Sequence, residues 1–245
     1  MDHFSKLPSS TLGLTAETFF LNKTHPTVVQ FAEKALTCPL SQMHELSPRQ
    51  RAVKLFYAVR DDIRYDPYRI TFEDEAYQAH TVIEAGYGWC ISKAAVLAAV
   101  LRACDIPCTI GLADVMNHLT TDKLRERMGG VTTFYNHGYV AMELNGKWHK
   151  AVPAFNIELC ERFGVKPTEF DGESDALYQE FDQAERRHME YLADHGTWSD
   201  LPMVKIRDDM HRHYGHSPLI KGASQMSAVG ETLGRFEEDQ STKLA

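Results

Sequence analysis

The chain has 245 residues, 43% of them hydrophobic and 24% charged, and its formal net charge at pH 7 is -8. This composition is typical of a globular protein with a sizeable core, built as one domain or as two small ones. The acidic balance, without a basic cluster, excludes a general affinity for nucleic acid or anionic membrane surfaces, because both require cationic side chains.

The cysteines and the N-terminus indicate the cellular compartment. Five cysteines are an odd number in a chain that is too large to need disulfides for stability. The N-terminal segment MDHFSKLPSSTLGL lacks the long apolar core of a signal peptide, and no apolar run approaches the roughly 18 residues of a membrane span. We therefore expect a cytoplasmic protein with reduced thiols.

The segment SPRQRAVKLFYAVRDDIRY predicts the first well-defined helix. Ser47 is the expected N-cap, Pro48 the first helical residue and Gln50 the reciprocal partner of the cap. Apolar side chains recur on one face at helical spacing, so this helix is predicted to pack inward.

A central helix is predicted over residues 90–104. The run from Ala94 to Leu101 contains only alanine, valine and leucine, and a helix that is apolar on all sides belongs in a core. Pro107 ends the helix, and the segment CTIGLADV that follows it is predicted to form a buried strand.

The segment HGYVAMELNGKWHKAV predicts an antiparallel hairpin. Asn145-Gly146 is a preferred dipeptide for a two-residue hairpin turn, because both central positions adopt positive φ. A loop of this length places Leu144 opposite Lys147 and so determines which side chains share a face of the hairpin.

Cys90, at the start of the central helix, is the candidate nucleophile. A helix N-terminus and a neighbouring imidazolium lower the pKa of a thiol, and the free N–H of Cys90 can donate to an oxyanion. Gly86 and Gly88 allow close approach of a substrate. Alternatively, Cys90 is a buried structural sulfur. His137 favours catalysis, because a Cys/His site takes its base from a separate element.

Three segments together resemble the transglutaminase-like superfamily of papain-type cysteine enzymes. They are AVKLFYAVRDDIRYDP, TVIEAGYGWCISKAAVLAAVLRACDIPCTIGLADV and NHGYVAMELNGKWHKAVPAF, and the resemblance covers about residues 25–156. In that family a G-x-C segment opens the central helix, LR-x-x-x-IP ends it, and an H-x-[WY]-V strand precedes a W-x-x-x-D-P strand.

The resemblance implies an α+β fold with a transglutaminase-like, papain-like core. The central helix that carries Cys90 packs on an antiparallel β-sheet that carries His137, with extra helices at both ends. By the same resemblance Cys90 is the nucleophile and His137 the base, and no cofactor is required.

One position departs from the family pattern. The aspartate that orients the histidine falls on Val152, and valine cannot hold an imidazole. The hairpin register, continued until His137 faces Ala154, places Asn156 diagonally across from His137. An asparagine orients the histidine in papain-like sites, which favours this role for Asn156. Against it, Pro153 interrupts the hydrogen-bonded ladder, and asparagine is a common residue of turns. Either Asn156 orients the ring or the site is degenerate and only binds.

Five further residues are candidates for substrate binding. Trp89 and Tyr87 precede the nucleophile and Tyr139 follows the base, so these side chains line a cleft or else pack the hairpin against the helix. Asn117 and His118 follow a strand end, where loops often carry binding residues, although a helix cap is the other interpretation.

No metal site is predicted. The segment MHRHYGHSP holds His211, His213 and His216, but their spacing matches no common zinc pattern, and a solvated polar turn is the preferred interpretation. We expect neither a metal nor an organic cofactor.

The predicted organisation is a single domain over residues 1–220. Its core covers about residues 25–156, a mostly helical extension covers residues 157–220 and packs on the core or roofs a pocket, and residues 221–245 form a polar tail with the composition of a flexible segment.

The predicted function is that of a cysteine enzyme. Cys90 attacks an amide or ester carbonyl of a small molecule or peptide, and the acyl group passes from the thioester to water or an amine. No nucleic-acid or membrane partner is expected, and the oligomeric state stays open. The alternative is a catalytically degenerate binding or scaffold protein, because Val152 occupies the aspartate position.

Overall fold

A computed structural model describes residues 7–118, 120–178, 182–186, 188–225 and 236–238. The helices are α1 (Pro26–Leu36), α2 (Pro48–Asp62), α3 (Ala79–Ala85), α4 (Cys90–Ala103), α5 (Asp122–Arg127), α6 (Ile157–Phe163), α7 (Met203–Tyr214) and α8 (Pro218–Gln225). The strands are β1 (Arg64–Tyr65), β2 (Tyr87–Gly88), β3 (Cys108–Asn117), β4 (Thr133–Leu144), β5 (Lys147–Ala151) and β6 (Met189–Trp198).

The larger sheet is four-stranded and antiparallel, in the order β5-β4-β3-β6. β1 and β2 form a separate short parallel pair. α4 packs on β4 and β3, and α1, α2 and α3 pack against α4. The core therefore lies around α4 and the inner face of the sheet, and the predicted α+β architecture is confirmed.

α2 begins as predicted. Ser47 Oγ accepts a hydrogen bond from the Gln50 N–H at 3.2 Å, and Gln50 Oε1 accepts one from the Ser47 N–H at 2.9 Å. At the other end of α2, the buried ammonium of Lys93 donates to the carbonyl oxygens of Arg60 and Ile63. Carbonyls that a helix end leaves free are thereby satisfied, and α4 is held against α2.

α4 is buried from Cys90 to Arg102, which confirms the predicted central helix. The guanidinium of this arginine donates to the carbonyls of Ala16, Cys108 and Ser199, at 2.8, 2.9 and 2.6 Å. A buried charge is tolerated because these carbonyls replace water around it. The end of α4 is thus joined to the N-terminal segment, to β3 and to the residue that follows β6.

β4 and β5 form the predicted hairpin. Asn145 and Gly146 adopt φ angles of 54° and 83°, as the two-residue turn requires. Pairing begins with Leu144 opposite Lys147, in the predicted register.

This register does not continue past Ala151, where β5 ends. The N–H of the next residue donates to the carbonyl of Ala176 at 2.9 Å instead of pairing with β4. Pro153 has no N–H with which to extend the ladder. The predicted pairing of His137 with Ala154 is therefore wrong.

The segment over residues 157–220 is less helical than predicted. β6 extends the sheet beside β3, with Ile110 paired to Trp198 and Asn117 paired to Met189. The sequence analysis missed this strand, because its side chains are only partly buried on both faces and show no regular alternation of apolar and polar residues.

The predicted boundary at residue 220 falls inside α8. Within the tail, Phe236 is buried, and its ring centroid lies 5.7 Å from that of Tyr65 and 5.5 Å from that of Tyr68. The remainder of the predicted tail after residue 225 lies outside the described residues. Among the helices that the structure describes, none combines the length and hydrophobicity needed to cross a membrane.

Candidate active site

Cys90 and His137 reach the same place because β4 crosses the start of α4 at Gly138. A Cβ atom built on Gly138 would lie 2.9 Å from the Ile91 Cα and 3.0 Å from the Cys90 carbonyl oxygen. Only glycine permits so close an approach of two backbones. The crossing brings His137 to the first turn of the helix that begins with Cys90.

Cys90 and His137 line one cavity of about 30 Å³. Such a space holds a water molecule and is far too small for an amide substrate. Its lining includes three side chains from the C-terminal helices that we call the roof, Met210 and Tyr214 from α7 and Leu219 from α8. Cys90 is 4% exposed and His137 is 3% exposed.

Tyr214 attaches the roof to the sheet. Its hydroxyl donates to the Thr133 carbonyl at 2.7 Å and accepts a hydrogen bond from the Tyr135 N–H at 2.7 Å. Both partners lie at the start of β4, the strand that carries His137. The part of the chain that covers the cavity is therefore anchored beside the residues it covers.

Burial sets the protonation state of both groups. It raises the pKa of the Cys90 thiol to about 12, although backbone groups of Gly138 and Ile91 act in the opposite direction. It also lowers the pKa of the His137 imidazole to about 3. The expectation of an acidic thiol is wrong for this closed arrangement, because desolvation of the thiolate outweighs the partial charge of the helix end.

The His137 ring has a partner that the sequence analysis missed. The Tyr178 hydroxyl lies 3.0 Å from His137 Nε2, and the two rings meet edge to face with centroids 4.9 Å apart. Tyr178 reaches this place because Ala176 forms an isolated parallel bridge with Ala151, the last residue of β5. No local pattern marks such a residue, since its position depends on a contact between distant segments.

Residues 40–153 match the model of the transglutaminase-like superfamily, a span that includes both Cys90 and His137. The chain contains a transglutaminase-like domain. The family predicted from the sequence is confirmed, and members of this superfamily are typically cysteine enzymes. No curated protein sequence matches the chain.

In this transglutaminase-like domain Asn156 is hydrogen-bonded away from His137. Its Oδ1 accepts from the Tyr65 N–H at 3.1 Å, and its Nδ2 donates to the Glu158 carboxylate at 2.8 Å. Asn156 lies at the start of α6, because the strand that would have carried it toward His137 ends earlier. The geometry therefore gives no support to the predicted orienting role of Asn156.

Two of the predicted substrate-binding residues lie at cavities of the domain. Trp89 lines the cavity that contains Cys90 and also borders a second cavity of about 250 Å³. Tyr87 lines this second cavity, and the Arg69 guanidinium lies 4.9 Å from the centroid of its ring. Both positions remain candidates for substrate contact.

The other three candidates do not line the cavity of Cys90 and His137. Asn117 borders a different space of about 30 Å³, and His118 Nε2 lies 3.3 Å from a Glu190 carboxylate oxygen. Tyr139 is 2% exposed, and its hydroxyl donates to Asp194 at 3.0 Å. For Tyr139 the packing interpretation therefore applies.

Two of the three clustered histidines stack on separate aromatic rings. His211 stacks on Phe72 with ring centroids 5.0 Å apart, and His213 stacks on Tyr135 at 3.6 Å. Within the described residues, no group of three or more histidine, cysteine, aspartate or glutamate side chains is arranged to hold a metal ion.

The low pKa of His137 predicts that acid destabilises the fold. An unfolded imidazole takes up a proton near pH 6.5, whereas the buried ring stays neutral until the pH falls to about 3. Between these values the unfolded state binds more protons, so the free energy of unfolding falls as the pH falls. This group should remove about 2 kcal/mol between pH 7.5 and pH 5.

Urea unfolding at both pH values measures this effect. His137→Gln should reduce the pH dependence, while His216→Gln, at an exposed position, should retain it. An unchanged pH dependence in His137→Gln would contradict the assignment.

Proposed function

We propose that this chain is a cysteine enzyme that transfers an acyl group from an amide or ester to water or an amine. One observation carries the proposal: Cys90, the first residue of α4, and His137, on β4, line the same cavity. The substrate is a small molecule or a peptide that presents a single carbonyl to the sulfur. No metal or organic cofactor is needed for this reaction.

Both reacting groups start neutral in this proposal. At pH 7 the thiol and the imidazole of the closed site are neutral, given a pKa of about 12 for Cys90 and about 3 for His137, and so weak a base does not take a proton from so weak an acid. Once solvent access reduces the desolvation of both groups, His137 takes the thiol proton as the sulfur bonds to the carbonyl carbon, and returns it to the leaving group as the thioester forms. The N–H groups of Cys90 and Ile91 in the first turn of α4 are available to the oxyanion.

Substrate entry requires the roof to move. The cavity of about 30 Å³ excludes an acyl group, and Met210, Tyr214 and Leu219, which form part of its lining, are the side chains that move in this proposal. Displacement of α7 and α8 would open the sulfur to solvent and reduce the desolvation that raises its pKa. Opening and activation of the nucleophile are therefore coupled in this proposal.

The second candidate function is non-catalytic binding or scaffolding. It is favoured by the burial of Cys90, by the raised pKa of its thiol and by the valine at the family's aspartate position, Val152. The two functions differ in whether Cys90 forms a thioester.

We also propose that the protein works in the cytoplasm. All five cysteines lie within the described residues and are free thiols, and four of them are buried. Five unpaired thiols are typical of a protein from a reducing compartment.

Trapping of the acyl-enzyme tests the proposed function. The protein is incubated with p-nitrophenyl acetate, quenched in acid, digested and analysed by mass spectrometry. We expect an acetyl group on Cys90 that hydroxylamine removes, as it removes thioesters. Cys90→Ala should carry no such label, and Cys160→Ala, which lacks a buried cysteine outside the cavity, should keep it.

Absence of the label from Cys90 in the wild-type protein would favour the scaffold. Equal labelling of Cys90 and Cys160 would do the same, because it would indicate unassisted chemistry.

A further inference from the structure

We propose that Tyr178 is the positioning residue of His137, and that its hydroxyl holds the imidazole where the family pattern uses a carboxylate. This inference deepens the proposed function and rests on it. It names the group that orients the base in a chain whose aspartate position is Val152.

The surroundings of His137 leave few groups that can hold the ring. Val152 is 1% exposed and has no polar side-chain atom. Asn156 uses both of its polar side-chain atoms on Tyr65 and Glu158. In the described part of the chain, the side chain that is hydrogen-bonded to the His137 ring is Tyr178, whose hydroxyl lies 3.0 Å from Nε2, and the backbone of Gly138 also forms a hydrogen bond with the imidazole.

The backbone of the segment before Tyr178 is held against β5. The Ala176 N–H donates to the Lys150 carbonyl at 2.7 Å, and the Ala176 carbonyl accepts from the Val152 N–H at 2.9 Å. The Tyr178 N–H donates to the Tyr191 hydroxyl at 3.2 Å, which joins the same segment to β6. The Tyr178 backbone is therefore fixed between the two edge strands of the sheet.

The ring of Tyr178 is fixed by packing. It is 7% exposed and lies 5.0 Å from the ring centroid of Phe155 and 6.4 Å from that of His188. The edge-to-face contact with His137 completes its surroundings. A hydroxyl on a ring held in this way has a defined position, which is what a group needs in order to orient another side chain.

A neutral phenol orients an imidazole differently from a carboxylate. Burial, then the nearby Tyr65 and Cys90, raise the pKa of Tyr178 well above its usual value, so the hydroxyl keeps its proton at pH 7. It can hold one ring tautomer by a hydrogen bond, but it does not stabilise an imidazolium as a negative charge does. In this role the Tyr178 hydroxyl accepts a hydrogen bond from the Nε2–H of His137, so that Nδ1 keeps the lone pair that takes the thiol proton during attack.

The test compares Tyr178→Phe, which keeps the packed ring, with wild type. Acetylation of Cys90 by p-nitrophenyl acetate is measured as a function of reagent concentration. We expect the maximal rate to fall roughly 10- to 100-fold, the effect of losing one orienting hydrogen bond, with little change in half-saturation. Tyr57→Phe removes a hydroxyl that donates to Glu169, and neither residue lines the cavity of Cys90 and His137, so this variant should react at the wild-type rate.

Imidazole ¹⁵N NMR supplies a readout that a purely structural role would not change. His137, assigned through the loss of its signals in His137→Gln, should show a single neutral tautomer in the wild type and an averaged pair of tautomers in Tyr178→Phe. This measurement does not depend on turnover. If Tyr178→Phe fails to fold, the wild-type spectrum still tests whether the His137 ring is held in one tautomer. An averaged ring in the wild type would overturn the proposal.

The outcomes separate this inference from the proposed function. If wild-type Cys90 is acetylated and Tyr178→Phe reacts equally fast with a single His137 tautomer, the positioning role is wrong and the enzyme assignment stands. If wild-type Cys90 is never acetylated, the enzyme assignment fails, and the positioning role for catalysis fails with it, whatever the NMR spectrum shows.

Discussion

Replacing His137 with alanine is expected to slow the acetylation of Cys90 about a thousandfold. In the closed arrangement the thiol pKa is about 12, so almost no thiolate is present at pH 7 before the site opens. In the proposed reaction His137 takes the thiol proton during attack, and a positioned base contributes about 10² to 10⁴ in rate. Single-turnover release of p-nitrophenol from p-nitrophenyl acetate measures the effect, with circular dichroism to verify that the variant folds.

His216→Ala is the matched control, because it removes an exposed imidazole that does not line the cavity. It should react within about twofold of the wild type, as expected for a surface substitution. A His137→Ala protein that keeps more than a tenth of the wild-type rate would eliminate His137 as the base.

Substitution of Gly138 by alanine should damage both the fold and the site. The new Cβ would lie 2.9 Å from the Ile91 Cα and 3.0 Å from the Cys90 carbonyl oxygen, and both of these are backbone atoms that cannot rotate away. Overpacking of this kind costs about 2 to 3 kcal/mol. Separation of β4 from α4 should also lower acetylation of Cys90 about 100-fold, since a displacement of about 1 Å has that effect.

Gly146→Ala distinguishes the two consequences. Gly146 lies in the turn of the same hairpin, where an added Cβ meets nothing within 4 Å but the φ angle is +83°. That variant should lose about 1 kcal/mol through backbone strain and keep the wild-type acetylation rate. Urea unfolding and the p-nitrophenol assay measure the two quantities. Equal acetylation rates in the Gly138 and Gly146 variants would show that the crossing at Gly138 does not position the site.

The elements that sequence analysis predicted correctly are those with short-range causes. The Ser47 capping box, the Asn145-Gly146 turn and the buried helix from Cys90 each depend on residues within a few positions of one another. The strand β6 was missed, because its side chains face a partly polar environment and lack a two-residue hydrophobic alternation.

In the candidate site, too, the sequence predicted the features with local causes and missed the one that depends on distant contacts. Cys90 and His137 were found because each lies on an element with a clear local pattern and the order of the two matches a known family. Asn156 was proposed by extending the hairpin register, and that extension fails where Pro153 follows the end of β5. The hydrogen-bond partner of His137 is instead Tyr178, whose segment is held near the site by the isolated bridge between Ala151 and Ala176.

The sequence by itself determined the central helix, the hairpin and the two candidate side chains that they carry, because apolar periodicity and turn chemistry act locally. Tertiary structure decided what holds the imidazole, how the site is covered and which protonation states it adopts. These properties arise from the roof on α7 and α8 and from Tyr178, all distant in the chain from Cys90. The pKa of a thiol depends on the desolvation caused by the residues that pack against it. When those residues are distant in the chain, the sequence around the cysteine does not predict that desolvation.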